Sequence, residues 1–400
     1  MLQWICEETI EQQGIQALSH HNTAFQQLLK PLSRHEFEGL AKQHHSGQKL
    51  RSATRWDQFI GMAMSQLSGR QSLRDIQSNL EAQQHKLYHL GAKPIARTTL
   101  ARLNEKQPAD LYEALFYKLL ARCKSQPGKH KFRFKNPLYS LDASALDLSL
   151  KRFPWAAHRD DAANVKLSVG LNHATDIPEF VALSDGNEND MVEGRKFTFP
   201  SGSVVAFDKG YVDYQWFGSL TKQGVSFVTR LRAKAVYRVL ERKPFDKDSG
   251  ITSDQIIKLS SAHAIKRGAP KLRRVGYRDA ETGRRYQFLT NNFRLSASTI
   301  AAIYKDRWKV ELFFKAIKQN LKIKAFVGTS KNAVLTQIWI ALIVYLLVAF
   351  ARYSAKEGWT VQRMLRVLQL NLFERKALKE IFNPKPPPNQ KDQPQMRLVL

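Results

Sequence analysis

Apolar residues recur every three or four positions through the first third of the chain, which is the spacing of amphipathic helices. The segments RWDQFIGMAMSQLSG and SLRDIQSNLEAQQHKLYHLG both end in glycine, and the second runs from Ser72 to Gly91. Ser33 is followed three positions later by Glu36, which predicts a capping box at the start of another helix. The pattern therefore predicts an all-helical region over residues 1–130.

After Pro127 the apolar spacing shortens to two, as in β-strands. Strand-like alternation marks KHKFRFKNPLYSLDASALDLSL, NVKLSVGLN, SVVAFDKG and VSFVTRLR, whereas VDYQWFGSLTKQG has helical spacing. This mixture predicts an α/β layer domain whose first part covers residues 131–232. Short strand-like pieces then return as AVYRVL, LRRVGYR and RRYQFLTNN, and they predict a β-rich insertion over residues 233–296.

A strongly amphipathic helix is predicted from Ile303 to Lys322. Its apolar side collects Val310, Phe313, Phe314, Ile317 and Leu321. A second stripe holds Tyr304, Arg307, Glu311 and Lys318, within about 60° of one another around the helix, and Lys315 and Lys322 extend it. The stripe has an ordinary explanation, a solvated face with pairs such as Glu311 to Lys315.

The segment AVLTQIWIALIVYLLVAFA, from Ala333 to Ala351, carries no charge and is long enough in principle to span a bilayer. Thr336 and Gln337 interrupt it, however, and the fully apolar remainder is shorter than the ~20 residues of a typical span. We therefore predict a helix buried in a large core. The lack of a second apolar segment of this kind also favours that interpretation, and we expect no membrane association.

The net charge then indicates the partner. Lys and Arg number 63 against 35 Asp and Glu, a formal net charge of +28 on 400 residues. Such an excess favours a polyanionic partner, for which nucleic acid is the first candidate and an anionic membrane surface the competitor. Cys6 and Cys123 are the only cysteines and lie far apart, so neither a disulfide framework nor a cysteine zinc site is indicated. The acidic start MLQWICEETIEQQ lacks the layout of a secretory signal, and we expect a cytoplasmic location.

A candidate DNA-reading element lies near the end of the helical region. In AKPIARTTLARLNEKQP a brief turn leads into a short helix that carries Arg97, Thr98, Thr99 and Arg102. A helix, a turn and a compact basic helix are typical of a helix-turn-helix DNA-binding unit. An ordinary helical hairpin would have the same pattern.

Three carboxylates could converge in the α/β domain. Asp142 follows an apolar strand residue in YSLDAS, Asp208 ends the apolar run of VVAFDKGY, and Glu311 lies mid-stripe on the amphipathic helix. Carboxylates at the ends of buried parallel strands face the crevice where α/β sheets bind ligands, although strand-end Asp residues often only cap turns. Asp147 is a rival for Asp142. Three carboxylates suit Mg²⁺ or Mn²⁺, and two such ions would support phosphodiester chemistry.

These motifs together resemble the DDE-type transposases of bacterial insertion sequences, in the group marked by a Y-x2-R-x3-E-x6-K signature, the insertion-sequence-four family. Tyr304, Arg307, Glu311 and Lys318 reproduce that signature with every spacing kept. The words LDAS, FDKGY, FVTRLR and FLTNN also resemble family segments, and the similarity covers residues 130–355.

The resemblance implies a ribonuclease-H-like catalytic core with a β-rich insertion, preceded by an all-helical DNA-binding region. It implies that Asp142, Asp208 and Glu311 hold two Mg²⁺ ions, with Mn²⁺ as a substitute. It implies that Tyr304, Arg307 and Lys318 contact phosphates, with Lys315 beside them. The expected activity is metal-dependent cutting of the ends of an insertion sequence in double-stranded DNA and joining to target DNA, by a homodimer in a paired-end complex.

The remaining boundaries follow from this assignment. We expect residues 297–355 to complete the catalytic core and residues 356–400 to form a helical segment and a mobile Pro-rich tail. Relatives that cleave through a DNA hairpin use a Trp in the insertion to stack on a flipped base. No Trp lies between Phe217 and Arg307, although Tyr237, Phe245, Tyr277, Tyr286 and Phe288 are available. The alternatives are a DNA-binding repressor or inactive relative, and a nuclease of the same fold that never joins strands.

Overall fold

The computed structural model of the chain describes residues 22–124, 131–159, 162–246, 248–321, 323, 325–355 and 358–384. Three of the sequence predictions concern residues outside this set. They are the acidic start with Cys6, the end of the basic stripe at Lys322, and the Pro-rich tail beyond Pro384.

Helices alone make up the first described segment. They are α1 (Ala24–Leu29), α2 (Arg34–Gln43), α3 (Arg55–Ser68), α4 (Leu73–Ala82), α5 (Gln84–Leu87), α6 (Arg97–Lys106) and α7 (Asp110–Lys124). Helix α3 ends as predicted, because Gly69 adopts the left-handed conformation (φ 70°) that closes a helix without a Cβ clash.

Two local predictions in this region are wrong. The helix expected from Ser72 to Gly91 is interrupted, because at Gln83 the backbone leaves the helical region (φ −106°, ψ 15°). Ser33 does accept a hydrogen bond from the backbone N–H of Glu36, but the Glu36 carboxylate bonds Arg122 on α7 instead of completing a capping box. A tertiary ion pair takes the place of the local hydrogen bond from the Ser33 backbone N–H.

Ten strands form one mixed sheet in the described part of the chain. They are β1 (Leu138–Leu148), β2 (Ala157–Arg159), β3 (Ala162–Asn172), β4 (Ile177–Asp185), β5 (Val204–Phe207), β6 (Ser226–Arg230), β7 (Tyr237–Arg242), β8 (Ile251–Leu259), β9 (Leu272–Arg278) and β10 (Arg285–Thr290). Their order is β2-β3-β1-β5-β6-β10-β9-β8-β7, and β4 pairs with β3. The strands of residues 233–296 therefore extend the same sheet, since β10 pairs antiparallel with β6.

The remaining helices are α8 (Asp190–Lys196), α9 (Tyr214–Lys222), α10 (Ala262–Lys266), α11 (Ala297–Asp306), α12 (Trp308–Lys315), α13 (Lys331–Ala351), α14 (Val361–Asn371) and α15 (Leu378–Phe382). Strand β5 shows how helices cover the sheet. Val205 and Phe207 belong to the core that includes α9, whereas Val204 and Ala206 belong to the core that includes α11. Alternate residues of β5 therefore face helices on opposite sides of the sheet. The chain is a mixed α/β protein with helices on both faces of its central strands.

Helix α13 is the apolar segment noted in the sequence. It is the one helix of the described residues that is long and apolar enough to cross a membrane, and 89% of its most apolar window is buried inside the protein. It packs against α3, α6 and α7 of the N-terminal region and against α14. The prediction of a buried core helix is confirmed.

Candidate active site

Strand register places two of the predicted carboxylates side by side. Strands β1 and β5 run parallel, and Leu141 pairs with Phe207 at the end of the parallel stretch. Asp142 and Asp208 are the next residues on the two strands, so both lie at the carboxyl end of a parallel pair, where α/β sheets bind ligands. The rival Asp147 is exposed further along β1, where it pairs with Asn164 on β3.

Glu311 reaches the same place from above the sheet. All five apolar residues predicted on one side of its helix, Val310, Phe313, Phe314, Ile317 and Leu321, are buried. The helix is not continuous as predicted: α11 ends at Asp306, α12 begins at Trp308, and a π-helical turn follows at Ala316–Asn320. The buried side anchors the helix, and its opposite side turns Tyr304, Arg307 and Glu311 towards the strand ends.

Arg307 joins two of the carboxylates. Its Nη1 donates to Oδ2 of Asp142 at 3.0 Å, and its Nη2 donates to Oε1 of Glu311 at 2.8 Å. The Arg307 side chain is only 13% exposed, so this double ion pair is shielded from water. Its planar, permanently charged guanidinium can bridge two carboxylates at once, which a lysine ammonium does less well.

Asp208 is held by a second set of donors. Arg230, at the end of β6, donates from Nη2 to Oδ1 of Asp208 at 2.9 Å, and the hydroxyl of Tyr304 donates to the same oxygen at 3.2 Å. Burial raises the pKa of Tyr304 to about 12, so its phenol keeps the proton that it donates. The sequence analysis missed Arg230, since only the parallel pairing of β5 with β6 brings it to Asp208.

The environments of the two aspartates differ. Burial raises the pKa of Asp142 to about 6, with Arg307 opposing the shift and the charges of Glu311 and Asp208 adding to it. At Asp208 burial is outweighed by hydrogen bonds from the Lys209 backbone and Arg230, which lower the pKa of the carboxyl. Mutual repulsion of this kind is expected where carboxylates share a site, and an added cation relieves it.

The donor set fits a hard divalent cation in kind, because it consists of carboxylate oxygens in a partly buried pocket. Among the described residues, no three His, Cys, Asp or Glu side chains are already grouped tightly enough to hold a metal. The Arg307 guanidinium lies between Asp142 and Glu311 and supplies the positive charge that bridges them. Arg307 therefore occupies one oxygen of each of these two carboxylates.

The two lysines of the stripe differ in their surroundings. Lys315 is exposed at the end of α12. Lys318 lies in the π-helical turn, half-buried, and its ammonium donates to the backbone carbonyl of Ala145 on β1 at 2.5 Å. Lys318 therefore ties the Glu311 helix to the strand that carries Asp142.

Two further features of the site had no counterpart in the sequence analysis. Trp308 directly follows Arg307 and is 58% exposed, whereas Phe288 in the β-rich segment is buried. Trp308 therefore lies one position beyond the Phe217–Arg307 stretch that lacks Trp. His173, in the turn after β3, is buried and bonds Ser140 and Asp306.

The predicted DNA-reading residues lie elsewhere. Arg97, Thr98 and Arg102 are exposed on the outer face of α6, whose buried face carries Leu100 and Leu103. The structure does not bring these residues to the carboxylates. They stand on a separate surface of the N-terminal helices.

Comparison with known families agrees with the geometry. Residues 134–347 match the transposase DDE domain, and residues 20–93 match a domain of unknown function, DUF4372. The DDE match contains Asp142, Asp208 and Glu311.

Relatives extend the match beyond the domain. A Sinorhizobium fredii protein named as a transposase, y4zB, is 30% identical over 77% of this chain and 84% of its own length. A Geobacillus stearothermophilus protein, named as the transposase of insertion sequence element IS5377, is 29% identical over 66% of this chain and 69% of its own. The structure of a piggyBac transposase synaptic complex with hairpin DNA covers 92% of this chain and 84% of its own, with a TM-score of 0.47 and 9% identity. On the sequence matches, the chain belongs to the DDE transposase family of insertion sequences and is a DNA transposase, in a family that generally uses divalent metal ions.

Proposed function

We propose that Asp142, Asp208 and Glu311 form the catalytic centre, holding two Mg²⁺ ions for which Mn²⁺ can substitute. The enzyme would cut the ends of its insertion sequence and join them to target DNA. One observation carries this assignment: three carboxylates far apart in the chain meet around Arg307 and Arg230, at the ends of two parallel strands.

When bound, the two ions supply a nucleophile from water and stabilise the leaving oxygen of an in-line displacement. The chain's own residues bind and orient the DNA. Once released from Asp142 and Glu311, Arg307 would bond two oxygens of one phosphate through two parallel N–H groups. Tyr304 stays protonated, and it would donate its single O–H proton to a phosphate oxygen in place of Asp208. Lys315 and Lys318 continue this row of positive charge along the helix.

We propose that the catalytic core is ribonuclease-H-like. It would comprise residues 131–232 and 297–355, with residues 233–296 as the β-rich insertion and 356–400 as a C-terminal appendage. The parallel order β1-β5-β6, with α11 packed on β5 and β6 and the Glu311-bearing α12 packed on β1, supports this division. The insertion begins where β6 ends and returns through β10, and it therefore lies between the second Asp and the Glu.

Residues 1–130 are proposed as the region that binds transposon ends. The exposed face of α6 presents Arg97, Thr98 and Arg102. Beside it, a cleft of about 510 Å³ is lined by Lys49, Arg51, Arg102 and Lys106 among uncharged residues. All the charged residues of this cleft are basic, so it suits a sugar-phosphate backbone, which would release counterions on binding.

Trp308 is proposed as the aromatic that stacks on a nucleobase beside the scissile phosphate. It is exposed, and it lies between Arg307 and Glu311 on the helix that carries both. Base–aromatic stacking contributes on the order of 1–3 kcal/mol and tolerates any base. Two copies of the chain would hold two ends in a cytoplasmic paired-end complex.

The assignment is tested by strand cleavage of a labelled duplex that carries the transposon end. Asp142→Ala, Asp208→Ala and Glu311→Ala should each abolish cleavage while DNA binding persists. Asp147→Ala is the matched control, because it removes a carboxylate from the same strand outside the site, and it should cleave normally. Full cleavage by all three site variants would refute the triad, and tight binding without cleavage by the unaltered chain would favour a repressor.

A further inference from the structure

A buried chain of hydrogen bonds joins residues that lie close in sequence to Asp142 and Arg307. Ser140, two residues before Asp142 on β1, places its Oγ 2.5 Å from Nε2 of His173. The other ring nitrogen of His173, Nδ1, lies 2.9 Å from Oδ2 of Asp306, the residue before Arg307. Ser140 is 0% exposed and His173 is 2% exposed. The chain thus links the strand that carries Asp142 to the helices that carry Arg307 and Glu311.

The directions of these bonds follow from the partners. A carboxylate can only accept, so Nδ1 of His173 carries the proton and donates it to Asp306. Nε2 then has a lone pair, which accepts the hydroxyl of Ser140. Burial lowers the pKa of His173 and favours the neutral ring that this arrangement requires. Both ring nitrogens are bonded, and the imidazole therefore has one defined orientation.

The same three residue types form nucleophilic triads in hydrolases. Here Ser140 is completely shielded from solvent inside the sheet, so its hydroxyl cannot reach a substrate. The role left for these hydrogen bonds is to hold β1 and the end of α11 in place.

The turn that carries His173 is also anchored to the helices. The ammonium of Lys309 on α12 donates to the His173 carbonyl at 3.2 Å and lies 3.5 Å from Oδ1 of Asp176. Arg352, which follows α13, forms an ion pair with the same Asp176. Asp306 receives a further ion pair from Lys131 at 2.6 Å. These contacts tie the turn to α12 and to the residue after α13, and they give Asp306 at the end of α11 a second partner.

We propose that His173 is a positioning residue that sets the separation between Asp142 and Glu311, by coupling Ser140 on β1 to Asp306 at the end of α11. This inference rests on the proposed role of the carboxylates as metal ligands. Hydrogen bonds that orient ligating side chains commonly change metal affinity or activity by about 10- to 100-fold when they are removed. Loss of the bridge removes one of the ties between strand and helix, beside those made by Arg307 and Lys318, and so loosens the geometry of the carboxylates.

The test is Mn²⁺ titration of the full chain, with the free ion measured by electron paramagnetic resonance, alongside the cleavage rate at saturating DNA. Ser140→Ala should weaken Mn²⁺ binding by about 10-fold or more and slow cleavage similarly, with DNA affinity unchanged. Ser140→Cys keeps a weak donor in the same place and should lose less. If Ser140→Ala does not fold, His173→Asn is measured with the same expectation, because its shorter amide can replace the bond to Asp306 but not the bond to Ser140.

The matched control is Asp254→Asn. It breaks the buried ion pair with Arg273, 2.6 Å long, in the β-rich segment. That variant should lower thermal stability and leave Mn²⁺ affinity unchanged. Equal loss of Mn²⁺ affinity in Asp254→Asn and Ser140→Ala would overturn the positioning role, as would unchanged affinity in Ser140→Ala.

A parallel titration of Glu311→Ala separates the two proposals. If Glu311→Ala loses Mn²⁺ binding while Ser140→Ala keeps it, only the role of His173 fails. If Glu311→Ala itself keeps full Mn²⁺ binding, the proposed catalytic centre and the role of His173 both fail.

Discussion

Arg307 is the residue on which the electrostatics of the site depend. It compensates Asp142 and Glu311 together, and it is nearly buried when it does so. The spacing of Tyr304, Arg307 and Glu311 predicted that they share one helix face. Spacing within one helix could not predict which carboxylate on the sheet Arg307 would meet, because that depends on how the helix packs on β1.

Replacement of Arg307 by Gln is expected to separate metal binding from catalysis. The neutral side chain no longer competes with a cation for Asp142 and Glu311, so Mn²⁺ should bind more tightly than to the unaltered chain. Cleavage should nevertheless fall, because a phosphate contact is lost. Calorimetric Mn²⁺ titration and a cleavage assay on the same preparation check both effects. Weaker Mn²⁺ binding would show that Arg307 does not occupy the cation's position.

The spacing of apolar residues and the helix-capping residues predicted most strands and helices of the central region. Strand β9 coincides with the predicted LRRVGYR. Strand β8 was missed because its buried positions include the polar residues Asp254 and Gln255, which hide the apolar alternation. Asp254 is buried only because Arg273 on the neighbouring strand neutralises it, and that partner is invisible in a local pattern.

Helix α6 is predicted to contact DNA phosphates through Arg97 and Arg102. The double variant Arg97→Ala/Arg102→Ala should weaken binding to the transposon end and reduce the slope of log affinity against log salt by about 2, roughly one per phosphate contact. Its folding should be intact, because both side chains are exposed. Glu105→Gln, on the same exposed helix, removes a negative charge and should not weaken binding. Fluorescence anisotropy over a range of salt concentrations measures both, and an unchanged slope would remove α6 from the DNA interface.

Helix α13 connects the N-terminal helices to the sheet. Its buried side chains share one hydrophobic core with the N-terminal helices, with one face of β1 and β3, and with α12 and α14. Composition and the uncharged run predicted that this helix is buried. They could not predict that it joins the N-terminal helices to the catalytic region, because each contact lies far away in the sequence.

This shared core predicts that the two regions unfold together. Leu342→Ala, at a fully buried position of α13, should lower the free energy of unfolding by about 2–5 kcal/mol. Leu370→Ala, at a position that is 86% exposed, should change it by less than about 0.5 kcal/mol. Urea denaturation followed by tryptophan fluorescence and by circular dichroism should give one transition. Two separate transitions would mean that the N-terminal helices fold apart from the catalytic region.

We propose that the carboxylates gathered by the fold cut DNA with the help of divalent metal. The most direct test of this proposal is incubation of the full chain with a labelled duplex that carries the transposon end, in Mg²⁺ or in EDTA, beside Glu311→Ala. We predict nicking at the end of the element in Mg²⁺, none in EDTA, and none by Glu311→Ala in either condition. Nicking that persists in EDTA, or that Glu311→Ala retains in Mg²⁺, would show that cleavage does not depend on metal held by these carboxylates.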